Sequence, residues 1–325
     1  MPELVQYGSM AEQAGFDMVW TSDHFQPWQS NQRHAGFAWV TLAAVSQHTK
    51  RVSYGTGVTT PTLRYRPALV AEASASLSLL SPGRVFLGLG TGEKLNEGAA
   101  GGGWALYRER AARLVEAVQI IRELWSGQQV KYNGTYYQVD ARLYDVPARP
   151  IPIYIAAGGP KSARLSGIHA DGPIADPAQL KQNPAYKAAW AEGARSVGKD
   201  PAKMPILLEH FVSVSQEEEA KANAEKRRFL PKAWKPGYFN NISPKAIQKR
   251  AESEIPLSSV YGSWAVSTDP QTHVQAIQKW VDLGVTHIFV HSAQANQPAV
   301  VDFFGKQVLP LVRGGVTGVR PVTMG

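Results

Sequence analysis

Short apolar segments alternate with amphipathic helical segments along almost the whole chain. We predict seven strands, most of them apolar or β-rich. They are Met18–Trp20, Val52–Thr59, Arg84–Leu89, Ile151–Ala157, Asp171–Ala175, Ile206–Ser215 and His287–His291. Helices are predicted between them, and the clearest is Trp104–Trp125, whose apolar residues recur on one face. Repeated β-then-α units are typical of a parallel sheet covered by helices. The pattern therefore predicts an α/β fold.

The number of strands decides between two parallel architectures. A (β/α)8 TIM barrel needs eight strands, whereas this chain offers seven and opens on a predicted helix, Glu3–Gly15. We expect a TIM barrel that lacks its first β-strand, with an open doubly wound sheet as the alternative. We also expect a single domain over residues 1–325, with insertions near 128–147 and 230–262. The first insertion carries Asn133-Gly134, which predicts a hairpin.

Composition narrows the possible functions. The 325 residues, of which 44% are hydrophobic and 18% charged, suit an enzyme-sized globular protein. There is no cysteine, which excludes thiolate metal sites and cysteine nucleophiles, and the scattered histidines lack metal-site spacing, so we expect no metal. The net charge of +8 is spread along the chain, apart from Lys226–Arg228 at the basic end of a predicted helix. We therefore expect a small-molecule partner, no nucleic acid and no transmembrane segment.

Candidate acid and base groups follow the predicted strands. Residues just beyond the carboxyl ends of barrel strands line the active site. Asp23 and His24 follow the first predicted strand, and Glu93 follows the third in a Gly-Thr-Gly-Glu sequence. A histidine and a carboxylate from different strands form an acid/base pair in outline. The alternatives are a buried histidine satisfied by its neighbouring carboxylate, and a helix-capping role for Glu93 or Glu97.

Three predicted strand ends are rich in glycine and small polar residues: Gly55–Pro61, Gly90–Asn96 and Ala156–Ser162. Glycine permits close backbone approach, and N–H groups at a helix start can bind phosphate. None of the three has the spacing of a Walker or dinucleotide-binding motif, and each alone also fits a tight turn. We therefore predict a shared ligand-binding rim only because all three fall on one face. The Gly98–Gly103 tract that follows is either a mobile lid or a surface loop.

Six motifs together resemble a known family: Ser22–Trp28, Arg84–Glu93, Leu95–Glu97, Leu124–Gly127, Tyr144–Pro147 and Ala156–Pro160. They are similar to those of luciferase-like barrel oxidoreductases that use the deazaflavin coenzyme F420. Within that family the chain looks most like the branch of F420-dependent glucose-6-phosphate dehydrogenases and hydroxymycolic acid dehydrogenases. The resemblance implies an F420-dependent alcohol dehydrogenase, with FMN as the alternative cofactor.

The resemblance also implies residue roles. His24 would be the catalytic base, Glu93 the acid that protonates the reduced deazaflavin, and Trp28 the wall of the reaction centre. The matching cofactor-binding positions are Asp23, Gly57, Val58, Thr60, Asn96, Gly158, Gly159, Lys161 and Ser162. The Gly57-Val58 bond falls where relatives often have a non-proline cis bond.

Departures from the family pattern bear on the substrate. The sugar-phosphate dehydrogenases hold the substrate phosphate with two lysines and one arginine. This chain has Gln179, Phe239 and Ser263 at the matching positions, and Asp176 is a further substrate-side position. Because a dianionic phosphate needs such cations, we expect an uncharged or lipid-like alcohol instead.

Several alternatives stay open. One is a glucose-6-phosphate dehydrogenase whose phosphate is held by other cations, such as Lys181 or Arg250. Another is a non-catalytic barrel that binds a cofactor or lipid without turnover. We expect a homodimer and, since no signal peptide is visible, a cytoplasmic location. Export is the alternative if the N-terminus is truncated.

Overall fold

The computed structural model describes residues 2–316, which form two sheets. Their ten strands are β1 Met18–Thr21, β2 Ser53–Thr56, β3 Val85–Leu89, β4 Val130–Asn133, β5 Gln138–Ala141, β6 Ile153–Ala157, β7 Gly172–Ala175, β8 Leu207–Ser213, β9 Ala265–Val266 and β10 His287–Ser292. The main sheet is parallel, in the order β1-β2-β3-β6-β7-β8-β10, and β9 pairs with the end of β8. Strands β4 and β5 form the predicted hairpin as a separate antiparallel pair.

The main sheet is nearly closed into a barrel. Within residues 2–316 no ladder joins its two end strands, β1 and β10. These strands nevertheless face each other, because the rings of Trp20 and Phe289 stack with centroids 3.6 Å apart. The predicted TIM-barrel architecture without a first strand is therefore confirmed, and the open doubly wound sheet is wrong.

Fourteen α-helices are formed in the described part of the chain. They are α1 Pro2–Ala14, α2 Ala38–His48, α3 Pro67–Leu80, α4 Tyr107–Leu124, α5 Pro160–His169, α6 Pro177–Gln182, α7 Pro184–Arg195, α8 Glu217–Ala224, α9 Pro236–Phe239, α10 Pro244–Glu254, α11 Ser258–Tyr261, α12 Pro270–Asp282, α13 Gln297–Phe303 and α14 Leu309–Gly315. A π-helical segment, Phe304–Val308, joins the last two. Among residues 2–316, no helix is long and apolar enough to cross a membrane.

Aromatic side chains fill the barrel interior. Phe86, Tyr154, Leu207 and Phe289 form one buried cluster from four strands, and Trp20 packs against it. Glycines in the strand walls make room for this layer. For example, a Cβ at Gly88 would lie 2.0 Å from the Thr56 carbonyl oxygen, and one at Gly55 would lie 2.1 Å from the Phe86 carbonyl oxygen. The interior is thus a packed core, so we expect ligands to bind at the barrel mouth.

A second apolar cluster covers one side of the mouth. It is built largely from the segment between β8 and β9 and includes Phe229, Tyr238, Ile247 and Trp264. Trp28, Phe211 and Ala293, which lie at or beyond the carboxyl ends of their strands, pack against it. Helices α9 to α11 therefore stand beside the carboxyl ends of the strands, where the predicted site residues lie.

Candidate active site

The barrel mouth brings the predicted acid and base together. His24 follows β1, Glu93 follows β3, and His24 Nε2 lies 3.4 Å from Glu93 Oε2. Their side chains keep 19% and 17% exposure, respectively, so both are largely desolvated but reachable. The two residues are 69 positions apart in the sequence, and the parallel pairing of β1, β2 and β3 brings them together.

The tautomer of His24 is set by a backbone carbonyl. His24 Nδ1 lies 3.1 Å from the Gln26 carbonyl oxygen, which can only accept a hydrogen bond. We therefore assign the ring proton to Nδ1, which leaves the lone pair of Nε2 directed towards Glu93. Burial lowers the pKa of His24 to about 4, and the charges of Arg64 and Arg227 act in the same direction. The ring is a neutral base at physiological pH.

Asn96 connects the two groups. Its Oδ1 accepts the N–H groups of Phe25 at 2.9 Å and Gln26 at 3.4 Å, which fixes the orientation of the amide. Its Nδ2 therefore donates to Glu93 Oε2 at 3.0 Å and lies 3.3 Å from His24 Nδ1. One amide thus holds the turn that carries the base and the carboxyl group of the acid.

Glu93 is a carboxyl group that stays partly protonated near neutral pH. Burial raises its pKa to about 7, and burial also raises the pKa of Glu97 to about 7. Glu97 Oε2 accepts the backbone N–H of Glu93 at 2.6 Å, which ties down the turn. At Gly92, where φ is +85°, a Cβ would lie 2.6 Å from the same oxygen. The Gly-Thr-Gly-Glu sequence therefore lets the Glu97 carboxyl group pack closely against the turn that carries Glu93.

Asp23 is buried in a network that sequence reasoning missed. Its carboxylate accepts hydrogen bonds from the hydroxyl groups of Thr59 and Tyr65. Arg64 Nη2 lies 3.0 Å from Asp23 Oδ1 and donates to the Asp23 carbonyl oxygen at 2.7 Å. Arg64 Nε also lies 4.0 Å from Glu97 Oε1. The one available sequence signal was the isolation of Arg64, the first charged residue after Arg51.

Trp28 forms a wall of the site. Its ring stacks on Phe229 with centroids 4.7 Å apart, and its centroid lies 6.1 Å from that of His24. The next residue, Gln29, is fully buried and fastens this wall to the opposite segment. Gln29 Oε1 accepts the Phe229 N–H at 3.0 Å, and Gln29 Nε2 donates to the Glu225 carbonyl oxygen at 3.2 Å.

The predicted cofactor positions leave open backbone at the mouth. The Gly57-Val58 bond is cis, as the resemblance implied. A Cβ at Gly158 or Gly159 would have no neighbour within 4 Å, and these residues precede the first turn of α5. Lys161 is exposed there. A helix start beside a cation, with open space over its glycines, fits the anionic tail of a phosphorylated cofactor.

Other predicted cofactor positions are held by the turns around them. Ser162 Oγ donates to the Gly159 carbonyl oxygen at 2.9 Å and accepts the Gly159 N–H at 3.1 Å. Thr60 is buried, and its methyl group lies 2.9 Å from the Cβ position of Gly92. Within residues 2–316 no cluster of three His, Asp or Glu side chains could hold a metal ion.

The predicted substrate positions lie in different settings. Asp176 caps α6 by accepting the Gln179 N–H at 2.8 Å, and burial raises its pKa. Ser263 is exposed and donates to the Val260 carbonyl oxygen at 3.0 Å. Phe239 packs edge-on against Trp104 with centroids 5.4 Å apart. Phe239 thus belongs to an aromatic group, while the other three are engaged locally, and their substrate roles stay predictions.

Residues 1–287 match the sequence model of the luciferase-like monooxygenase family. The chain belongs to the luciferase-like family. This luciferase-like chain is 45% identical over 311 residues to the F420-dependent hydroxymycolic acid dehydrogenase of Mycobacterium tuberculosis, covering 95% of this chain and 84% of that protein. It is 40% identical over 321 residues to the F420-dependent glucose-6-phosphate dehydrogenase of Gordonia bronchialis, covering 96% and 93%.

Solved structures share the fold of the chain. An F420-dependent secondary alcohol dehydrogenase, solved in complex with an F420-acetone adduct, matches with a TM-score of 0.87 and 32% identity over 95% of this chain and 94% of that chain. A coenzyme F420-dependent tetrahydromethanopterin reductase from Methanopyrus kandleri, at 20% identity and a TM-score of 0.71, shares the fold. The predicted resemblance is confirmed.

Proposed function

We propose that this protein is a coenzyme F420-dependent dehydrogenase that oxidises the hydroxyl group of an alcohol. The observation that carries the proposal is the bare Nε2 of His24, 3.4 Å from a carboxyl group with a raised pKa, at the mouth of a luciferase-like barrel. Two comparisons support the proposal. The chain has relatives named as F420-dependent dehydrogenases, and its structure is similar to that of the F420-dependent secondary alcohol dehydrogenase.

The residues divide the proton chemistry between them. The deazaflavin, when bound, supplies the acceptor for the hydride that leaves the carbinol carbon. His24 Nε2 takes the hydroxyl proton, which it can do because burial keeps the ring neutral. Glu93 holds a proton near neutral pH and faces the same space, ready to neutralise charge that develops on the cofactor side. Trp28 excludes water from the pair.

The cofactor would lie along the open backbone at the mouth. Gly158 and Gly159 would take its anionic tail, with Lys161 supplying charge. The remaining proposed contacts are Asp23, Gly57, Val58, Thr60, Asn96 and Ser162.

A phosphate-free alcohol is the proposed substrate class. The alternative phosphate-binding cations are already engaged: Lys181 Nζ lies 4.2 Å from the centroid of the Trp280 ring, and Arg250 Nε lies 2.7 Å from Glu254 Oε1. Both cations therefore already have partners within the protein and are poor candidates for binding a sugar phosphate. Phe239 and its aromatic neighbours suit an apolar portion of the substrate.

The test is a cofactor titration followed by a substrate screen. We expect F420 to bind and to be reduced by phosphate-free secondary alcohols, with a lower kcat/KM for glucose 6-phosphate. Preference for the sugar phosphate would contradict the substrate class, and preference for FMN would contradict the cofactor. F420 binding without turnover across the panel would indicate the non-catalytic barrel.

Assembly and location are further proposals. We expect a homodimer, which size-exclusion chromatography with light scattering would test. We also expect a cytoplasmic location, and cell fractionation would test it. The domain organisation predicted for residues 1–325 would be tested by limited proteolysis, since a single domain yields no stable large fragments.

A further inference from the structure

We propose that Arg227 forms a subsite for a carboxylate carried by the alcohol substrate, and that His291 and Glu209 are positioning residues for its guanidinium group. The inference rests on the proposed function, since it names a substrate feature of the same pocket. None of these three residues belongs to the acid, base or cofactor positions described above.

The three residues meet inside the barrel mouth. Leu207 of β8 and Phe289 of β10 face the barrel interior. Because side chains alternate along a strand, Glu209 and His291, each two positions further on, point to the same interior nearer the carboxyl ends. Arg227, from the turn after α8, reaches His291 there.

A chain of hydrogen bonds fixes the guanidinium group. Arg227 Nη2 lies 3.2 Å from His291 Nε2, and an arginine can only donate, so Nε2 is the acceptor. The ring proton therefore lies on Nδ1, which donates to Glu209 Oε1 at 2.5 Å. Phe211 stacks on the His291 ring with centroids 4.5 Å apart and holds its plane. His291 thus acts as a neutral bridge between the carboxylate and Arg227.

Most donors of Arg227 remain available. A guanidinium group has five N–H donors, and across residues 2–316 the Arg227 side chain uses one partner, His291. The neighbouring Arg228, by contrast, donates to the Ile255 carbonyl oxygen and to Glu225. Arg227 is half-buried, and its charge also lowers the pKa of His24, so it acts on the pocket that holds the base.

The residues around Arg227 indicate which anion it binds and what kind of molecule carries that anion. A single guanidinium fork, partly offset by Glu209, matches a monoanionic carboxylate better than a dianionic phosphate, which requires more cations. Trp28 and Phe211, both partly exposed, supply aromatic surface nearby. The substrate class is therefore a hydroxy acid with an apolar body, short enough for both groups to occupy one pocket.

Binding without turnover provides the first test. Hexanoate and hexanamide are compared by calorimetry on the purified protein. A charge-assisted hydrogen bond contributes about 1.5–3 kcal/mol, or roughly 10- to 150-fold in affinity. We expect hexanoate to bind at least about tenfold more tightly, and Arg227→Met to remove that preference. Arg227→Lys, which keeps the charge but loses the fork, should retain part of it. Equal binding of both probes to the natural protein overturns the inference.

Lys226→Met is the matched control, because Lys226 is the exposed neighbour and its loss changes the net charge equally. It should leave the preference for hexanoate intact. If it weakens hexanoate binding as much as Arg227→Met does, general charge rather than a subsite is responsible, and the inference is wrong. Inorganic phosphate that competes with hexanoate more strongly than acetate does would also overturn the choice of carboxylate.

Turnover then separates the subsite from the proposed function. With F420 saturating, kcat/KM is measured for 5-hydroxyhexanoate and for 2-hexanol. We expect Arg227→Met to lower the ratio of the two values at least about tenfold, and His291→Asn to raise KM for the hydroxy acid more than it lowers kcat. Oxidation of 2-hexanol with no Arg227-dependent preference would defeat the subsite alone. Arg227-dependent binding of hexanoate without turnover of either alcohol would defeat the proposed function alone.

Discussion

At the scale of single residues, the reactivity of His24 depends on one backbone acceptor. The Gln26 carbonyl oxygen occupies Nδ1, so that the basic nitrogen is the one that faces the pocket. Burial and two nearby arginines then keep the ring neutral. A neutral imidazole with a free nitrogen facing the pocket can accept the hydroxyl proton of a bound alcohol.

We expect His24→Ala to reduce turnover by about two to four orders of magnitude, the usual range for a lost general base. The affinity for F420 should change little, because the proposed cofactor contacts lie elsewhere. The measurement is kcat with a secondary alcohol together with a fluorescence titration of the cofactor. His34→Ala, at an exposed histidine of the same segment, is the control. Turnover close to normal in His24→Ala would remove His24 from the mechanism.

The pH profile should report the acid and the base. His24 must be neutral, which holds above its pKa of about 4, and Glu93 must carry a proton, which is lost as pH rises through about 7. F420 reduction should therefore fall on both sides of the interval between these values. Glu93→Gln, which cannot ionise, should lower the rate and remove the alkaline limb. A profile for Glu93→Gln with the same alkaline limb would assign that limb to another group.

At the scale of elements, the turn from β6 to α5 contains a glycine that packing does not require. We infer that a side chain is absent there because a ligand approaches the backbone. A Cβ at Gly158 would meet no neighbour within 4 Å. We therefore expect Gly158→Ala to leave the unfolding midpoint nearly unchanged while it weakens F420 binding about tenfold, because the added methyl group stands where the cofactor would approach. Calorimetry and thermal denaturation measure the two effects.

Gly88→Ala is the contrasting variant. Its Cβ would lie 2.0 Å from the Thr56 carbonyl oxygen, so the strands must separate. It should destabilise the protein severely. If Gly158→Ala loses stability as Gly88→Ala does, or binds F420 normally, the assignment of that turn to the cofactor fails.

The hydrogen bonds of Gln29 lead to a further prediction at this scale. Replacing the fully buried Gln29 by leucine leaves the Phe229 N–H without a partner, at a cost of about 1–3 kcal/mol. The Glu225 carbonyl oxygen then keeps only the 3.5 Å hydrogen bond from Asn31 Nδ2. We expect Gln29→Leu to lower the free energy of unfolding by about 2 kcal/mol or more and to raise KM, since Trp28 and Phe229 lose their support. Gln47→Leu, at an exposed glutamine, should do neither. Unchanged denaturation curves for Gln29→Leu would contradict this role.

The elements themselves were partly predictable. All seven predicted strands are present, and most of them are rich in apolar and β-branched residues, as buried parallel strands are. Strand β9 was missed, since two residues carry no periodicity. Helix α2 was missed because it is apolar on several sides and resembles a strand in sequence. The network of Thr59, Arg64 and Tyr65 around Asp23 was also missed, because it joins residues 36 to 42 positions apart.

At the scale of the whole molecule, a buried histidine whose side chain points away from the barrel interior should set part of the acid sensitivity. His210 is 6% exposed and accepts the Trp280 indole N–H at Nδ1, while its Nε2 has no hydrogen-bond partner among the described residues. Burial lowers its pKa to about 4. An unfolded histidine titrates near 6.5. Between pH 6.5 and 4 this histidine binds a proton in the unfolded chain but not in the folded protein, so stability falls as pH decreases.

The expected size of this loss is about 3 kcal/mol between pH 6.5 and 4, from the separation of the two pKa values. His210→Phe should be less stable at neutral pH, because the Trp280 N–H loses its acceptor, but its stability should depend less steeply on pH in that interval. Urea denaturation at several pH values measures the slope. His48→Phe, at an exposed histidine, should keep the natural slope, and an equal slope for His210→Phe would contradict the assignment.

The way in which Gln29 holds the facing segment has a consequence for how the pocket can change. Its amide contacts the backbone of Glu225 and Phe229, and the Arg227 side chain takes no part in that attachment. Position 227 can therefore be substituted while the loop keeps this attachment. We expect substitutions there to change the substrate preference of the pocket without moving its wall.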